Sequence, residues 1–222
     1  MPSPSQDLVR LLAQYSEAHG ASGHEDAVRQ IFVSTMSGRQ CVSDGLGGVL
    51  ATRTGATGPR VMLTAHMDEV GFLVQEISPQ GFLRLVPLGG WPDGVLAAQR
   101  LRIFARATQR EVIGIVAALP PHQGGNQASS VERLWVDVGA RSAASVAALG
   151  IRPGDPVVPA TPFTALAEPG LVAGKAFDNR AGMTVLSLAV QALDRLPSLP
   201  CQLLAAATVQ EEVGCRGAAT MA

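Results

Sequence analysis

Lysine is almost absent from this 222-residue chain. Of 17 basic residues only Lys175 is a lysine, and 18 acidic side chains bring the formal net charge to -1. So balanced a chain, with its arginines scattered, offers no electrostatic grip on nucleic acid or on an anionic membrane surface. Long apolar runs are also missing: none reaches the roughly 20 residues of a membrane span. Residues 1–10 lack the basic start and apolar stretch of a secretion signal. Cysteine is scarce, and Cys41, Cys201 and Cys215 form neither a CxxC pair nor a disulfide framework. A reducing, cytoplasmic setting is expected. There is no GxSxG, and no cysteine stands beside a candidate base, so serine or cysteine hydrolase chemistry has little support. Aromatic residues, at 4%, are too few for the ring platforms of a carbohydrate cleft.

The hydrophobic fraction is 47%, enough for one large core or two smaller ones. Leu8, Leu11, Leu12 and Tyr15 recur at helical spacing and predict an amphipathic helix over 5–19, with Gly20 as a left-handed stop. A second helix is predicted over 25–36, with Val28, Ile31 and Phe32 inward. Residues 47–53 read as a strand. Residues 60–66 are a nearly continuous apolar run that suits a strand buried on both faces. From 69 to 163 short strands (70–76, 82–87, 101–105, 111–117, 133–138) alternate with Gly and Pro turns. That texture predicts a small β-barrel or sandwich, interrupted by one helix at 142–149 and closed by the boundary Pro153-Gly154-Asp155-Pro156. Helix and strand then return, a helix over 179–195 with Met183, Val185, Leu186, Leu188 and Ala189 inward, and a strand over 202–209. The expected architecture is an α/β domain made of 1–68 and 164–222, interrupted by an inserted β domain at 69–163.

Chemistry-bearing residues gather at the ends of these core elements: Ala65-His66-Met67-Asp68-Glu69, Lys175-Ala176-Phe177-Asp178-Asn179-Arg180 and Gln210-Glu211-Glu212. Open α/β sheets bind ligands outside the carboxyl ends of their strands. An imidazole with carboxylates is a donor set for zinc, cobalt or manganese. Asp68, two residues past His66 on an extended backbone, lies on the same side. It can accept the proton of the second ring nitrogen, fixing the tautomer of His66. Adjacent glutamates repel unless a cation draws them together; one can then bind it while the other handles a proton. Each stretch alone has a bland reading: a strand end, a helix cap, a solvated turn. Their joint occurrence after apolar runs carries the inference. Lys175 is either a positioner of Asp178 or an ordinary strand-end lysine, and Arg180 is a partner for a nearby carboxylate. His24, Trp91 and His122 read as turn or packing residues.

With Ser22-Gly23-His24-Glu25, Gly89-Gly90-Trp91, Pro120-Pro121-His122, Asp137-Val138-Gly139-Ala140 and Gly150-Ile151-Arg152-Pro153-Gly154-Asp155, these stretches resemble the tetrahedral or deblocking aminopeptidases. These form metallopeptidase family forty-two, which includes glutamyl aminopeptidases and cellulase-M-like proteins. The resemblance implies a phosphorylase/hydrolase-like three-layer catalytic domain carrying a β-barrel used for subunit contacts. It implies two divalent metal ions, zinc or cobalt. His66 would ligate one ion, Glu212 the other, and Asp178 would bridge them through its two carboxylate oxygens, with the Asp178–Asn179 peptide expected to be cis. Glu211 would be the general base and Asp68 the orienter of His66. Substrates would be short peptides cleaved at the free N-terminal residue, and the chain would self-associate as dimers that build dodecamers.

The resemblance further implies an aspartate and a histidine beyond Ala222, which lies ten residues past Glu212. Each ion would then keep two of three protein ligands. The 222-residue form is therefore expected to be inactive and poorly soluble, with the strand at 203–209 short of neighbours. Two other functions remain open: a non-catalytic oligomerising fragment, and a glycoside hydrolase. The second needs carboxylates facing each other across about 5–9 Å, which neighbouring glutamates do not naturally supply.

Overall fold

The computed structural model describes residues 4–53, 57–92, 94–117, 131 and 134–222. In chain order the elements are α1 (Pro4–Glu17), α2 (Asp26–Thr35), β1 (Gln40–Ser43), β2 (Val49–Thr52), β3 (Arg60–His66), β4 (Gly71–Ile77), β5 (Phe82–Leu88), β6 (Arg100–Ala105), β7 (Arg110–Ala117), β8 (Trp135–Asp137), α3 (Ala143–Ala148), β9 (Pro156–Pro159), β10 (Thr164–Ala165), β11 (Val172–Ala173), α4 (Phe177–Asp194), β12 (Gln202–Thr208) and α5 (Arg216–Met221). They cluster into two compact units. One joins residues 1–69 to 162–222, and the other is 70–161. Among the described residues no helix is long and apolar enough to cross a membrane.

The first unit is an α/β layer pair. Its sheet runs β1-β2-β12-β3, antiparallel except for the β12–β3 pair, which is parallel with Thr208 opposite His66. Residues two apart on a strand share a face. Accordingly Leu203, Ala205, Ala207 and Val209 join Val49, Ala51 and Ala65 in one buried cluster with Tyr15, Val28, Phe32, Met183, Leu186 and Val190 of α1, α2 and α4. Small alanines along β12 let those helices approach the sheet closely.

Several local expectations change here. Residues 203–209 are not the edge of the sheet, because β12 is flanked by β2 and β3. The outer strands of the described sheet are β1 and β3, and at β3 the apolar run at 60–66 is buried only at Ala65 and His66, while Val61 and Met62 are exposed. An apolar run reports suitability for burial, and the neighbours decide how much burial occurs. Leu8 and Val185 are exposed as well, Val185 being 62% accessible. It lies two residues, about 200° on the helical wheel, from Met183. Gly20 is not a left-handed stop. A Cβ there would run into Arg180 Nη2 and come within 2.9 Å of Val28 Cγ2, so close packing requires the glycine.

The second unit is a closed six-stranded barrel in the order β4-β5-β8-β7-β6-β9. Phe72, Leu83, Leu101, Ile103, Val136 and Val157 fill it, as alternating inward side chains do in small barrels. The sequence reading missed β9, because Pro156 and Pro159 bracket it and look like turn residues. Asp155 leads into the strand. Its carboxylate accepts the Arg152 backbone N–H at 2.9 Å and Arg106 Nε at 3.1 Å, and Phe72 pairs with Val157 to close the barrel. Trp91 packs within this unit, stacking on Phe72 with ring centroids 4.6 Å apart and donating to Gly71 O at 3.1 Å. His122 lies outside the described residues.

Candidate metal centre

The parallel pairing of β3 and β12 brings the carboxyl ends of two strands side by side. Met67 N donates to Thr208 O at 2.7 Å, continuing the ladder past His66. Beyond β12 the backbone turns through Gln210, which holds a left-handed φ of 55°. A non-glycine residue there costs about 1–2 kcal/mol. The offset comes from Glu25 of the first unit's Ser22-to-Glu25 turn, whose Oε1 accepts the N–H of Gln210 at 3.2 Å and of Gly23 at 2.8 Å. Asp178 arrives from the start of α4. Asp178 and Asn179 are non-helical and joined by a cis peptide, and the regular helix begins at Arg180. Asn179 Oδ1 caps that helix by accepting Gly182 N–H at 3.1 Å.

These segments bring together side chains far apart in sequence. His66 Nε2 lies 3.1 Å from Asp178 Oδ1 and 3.9 Å from Glu211 Oε2. One donor atom from each of His66, Asp178 and Glu212 falls within 4.8 Å of the others. Asp68 is fully buried and does more than its sequence position suggested. The nearest acceptor to His66 Nδ1 is the Asp68 backbone oxygen, at 3.2 Å, with the carboxylate Oδ1 at 3.4 Å. That carboxylate also accepts Ser22 Oγ–H at 2.6 Å, Glu211 N–H at 2.9 Å and Glu212 N–H at 3.1 Å. One buried anion therefore orients the imidazole and holds the backbone that presents both glutamates. The sequence reading assigned no role to Ser22 or Glu25. Their Ser-x-x-Glu spacing, a helix-start signature, was the available signal.

The electrostatics describe a site short of positive charge. Burial opposes charge on Asp68, but the hydrogen bonds from His66, Ser22, Glu211 and Glu212 outweigh it and hold its carboxyl below the usual range. Burial likewise opposes a charged His66, yet Asp68, Glu211 and Asp178 raise its pKa. Burial, with repulsion from Asp178, Asp68 and Glu211, raises Glu212. Burial, aided by repulsion from Asp68, pushes Glu25 up to about 7. Among the described residues no lysine or arginine forms a salt bridge with Asp178, Glu211 or Glu212. An imidazole and convergent carboxylates with no balancing cation are a donor set that fits a divalent metal ion. Cys215 borders the site, donating Sγ–H to Glu211 Oε1 at 3.1 Å.

Known proteins share this arrangement of chain. The glutamyl aminopeptidase of Lactococcus lactis subsp. cremoris is 38% identical over 222 residues, which is 96% of this chain and 61% of that protein. An aminopeptidase from the archaeon Desulfurococcus kamchatkensis superposes with a TM-score of 0.90 at 32% identity, covering 99% of this chain and 60% of that one. The Pyrococcus horikoshii TET1 peptidase, described as assembling into a tetrahedron or a large octahedral shell, superposes at 0.84 with 28% identity, covering 95% and 63%. The chain thus spans about 60% of the length of the curated relatives it matches. The family model for M42 glutamyl aminopeptidase matches residues 47–222, and the chain belongs to that family.

Proposed function

We propose that this chain carries the metal-binding half of an aminopeptidase that removes the N-terminal residue of short peptides. The observation that carries the reading is the convergence of His66, Asp178 and Glu212 donor atoms within 4.8 Å, with Glu211 beside them and Asp68 beneath. In this reading His66, Asp178 and Glu212 would be the side chains that hold the divalent cations, with His66 and Glu212 serving different ions and Asp178 shared between them; zinc and cobalt would suit the donors. When bound, the cations supply Lewis acidity that polarises the scissile carbonyl and eases loss of a proton from water. Glu211, whose side chain is 41% accessible, takes that proton and returns it to the leaving amine. Asp68 keeps His66 in the tautomer that leaves Nε2 free to donate its lone pair, and fixes Glu211 and Glu212 through their backbone.

Two ions with three protein ligands each need more donors than the three gathered here. The 222-residue chain is accordingly proposed to bind metal weakly and to turn over little. The barrel unit, with Val86, Ile113 and Ile115 exposed, is proposed as the surface for self-association. The unpaired cysteines accord with a cytoplasmic setting.

Titration with cobalt(II), followed by visible absorption and by competition with zinc, tests the centre directly. Saturable binding by the wild-type chain, lost in His66→Ala and in Asp178→Ala, is expected. Uptake that is indifferent to those substitutions would remove the basis for the reading. Hydrolysis of aminoacyl anilides at ordinary enzymatic rates by the 222-residue chain would refute its proposed weakness.

A further inference from the structure

Around the start of α4 three deeply buried side chains are charged, and the chemistry above uses none of them. Glu69, Lys175 and Arg180 have side-chain exposures of 2%, 2% and 0%. Lys175 Nζ donates to Glu69 Oε1 at 2.6 Å, and Arg180 Nη2 reaches the same oxygen at 3.2 Å. Other donors of both side chains face the end of α1, while Arg180 Nε is buried without a hydrogen-bond partner. Arg180 Nη1 donates to Tyr15 O at 2.8 Å and Ala18 O at 3.4 Å, Arg180 Nη2 to Gly20 O at 3.4 Å, and Lys175 Nζ to Ala18 O at 2.9 Å. Carbonyls at a helix C-terminus lack intrahelical donors and form the negative end of its dipole. Two cations against one carboxylate are therefore accommodated. The backbone joins in: Glu69 N–H donates to Gly20 O at 2.9 Å, and Ser16 Oγ–H to Lys175 O at 2.7 Å.

Stability alone does not account for such a cluster, since apolar residues of similar volume commonly serve as well or better. Placement does. Glu69 directly follows Asp68 and is three residues past His66, whereas Lys175 and Arg180 bracket Asp178 on its two sides. One carboxylate oxygen thus anchors both flanks of Asp178 to the segment carrying His66. His66 and Asp178 themselves also meet across these segments. We propose that Glu69, Lys175 and Arg180 are positioning residues, a buried clamp that sets the separation of His66 from Asp178 and so the geometry offered to a cation. This rests on the metal-centre reading, and the test below separates the two.

The probe is cobalt(II) alone, titrated into the wild-type chain, Lys175→Met, Glu69→Gln and the control His66→Ala, with thermal unfolding measured in chelator. Lys175→Met leaves Glu69 and Arg180 as a balanced pair of similar volume, so Tm is expected to stay within a few degrees of wild type. Its cobalt affinity is expected to fall by about 10-fold or more, in the range that outer partners of metal ligands command. Glu69→Gln leaves two cations without an anion and should lose both stability and affinity; if it fails to fold, Lys175→Met decides. Wild-type cobalt affinity in folded Lys175→Met, whatever its Tm, overturns the clamp and leaves the metal centre standing. A wild-type chain that takes up no cobalt overturns the metal centre and the clamp with it.

Discussion

Asp68→Asn is the most searching perturbation of the site, because it changes one atom and almost no volume. The two carboxylate oxygens divide their donors: Oδ1 accepts from Glu211 N–H, and Oδ2 from Ser22 Oγ–H and Glu212 N–H. Asparagine must place its NH2 at one of these positions. At Oδ1 it confronts the Glu211 N–H. At Oδ2 the Ser22 hydroxyl can rotate to accept, but the Glu212 N–H is stranded. Either choice leaves a half-buried backbone donor without its carboxylate partner, costing about 1–3 kcal/mol. The surviving hydrogen bonds lose their charge assistance, about 1 kcal/mol more in total. The apo chain should therefore lose about 3 kcal/mol, read as a lower urea midpoint at constant m. Cobalt affinity should fall about 10- to 100-fold as His66 and the glutamates lose their alignment. An apo stability within about 1 kcal/mol of wild type would refute the reasoning, because it would mean that those backbone donors do not depend on the carboxylate.

Two further outcomes follow from buried groups. Glu25 has a folded pKa of about 7 against an ordinary 4.5, so between those values the folded state binds more protons than the unfolded state. Its contribution is greatest below pH 4.5 and is lost as pH rises through 7. In chelator, wild type should lose on the order of 3 kcal/mol from this group between pH 4.5 and 8, and Glu25→Gln should flatten that slope; parallel pH profiles would contradict the assignment. Gly20→Ala drives a Cβ against Arg180 and Val28 and should cost about 1–3 kcal/mol by denaturant unfolding, despite alanine's better backbone propensity; a neutral result would show that Arg180 can move aside.

The candidate metal donors were legible because two of them, with the neighbouring Glu211, close strands: His66 ends the largely apolar run 60–65, and Glu211 and Glu212 follow the alanine-rich strand, while Asp178 stands at the start of a helix. Charged residues directly beyond an apolar strand are unusual enough to be noticed, and two such strand ends together with an acidic helix start in one chain are hard to explain by solvation. The clamp was only half legible. Lys175 and Arg180 stood beside Asp178, but Glu69 read as one more acidic residue after Asp68, because nothing local says that its partners come from more than 100 residues away. Ser22 and Glu25 were hidden for the same reason. Their bonds go to Asp68 and Gln210, whereas their spacing speaks only of a helix start. The barrel strand β9 was obscured by its flanking prolines, although its ladder to β4 and β6 leaves room for them.

Periodicity and the order of residues alone determined that the chain has two kinds of texture, α/β at its ends and short strands between, and that its reactive side chains stand at element ends. Those are local properties, set by backbone sterics and by which faces prefer to leave water. Tertiary structure decided that β12 lies inside the sheet and β3 at one of its edges, that Gly20 serves close packing rather than a turn, and that one buried aspartate holds the backbone of two glutamates. Each of those depends on which distant segment becomes a neighbour, and pairing energies between distant segments leave no periodic trace in either one.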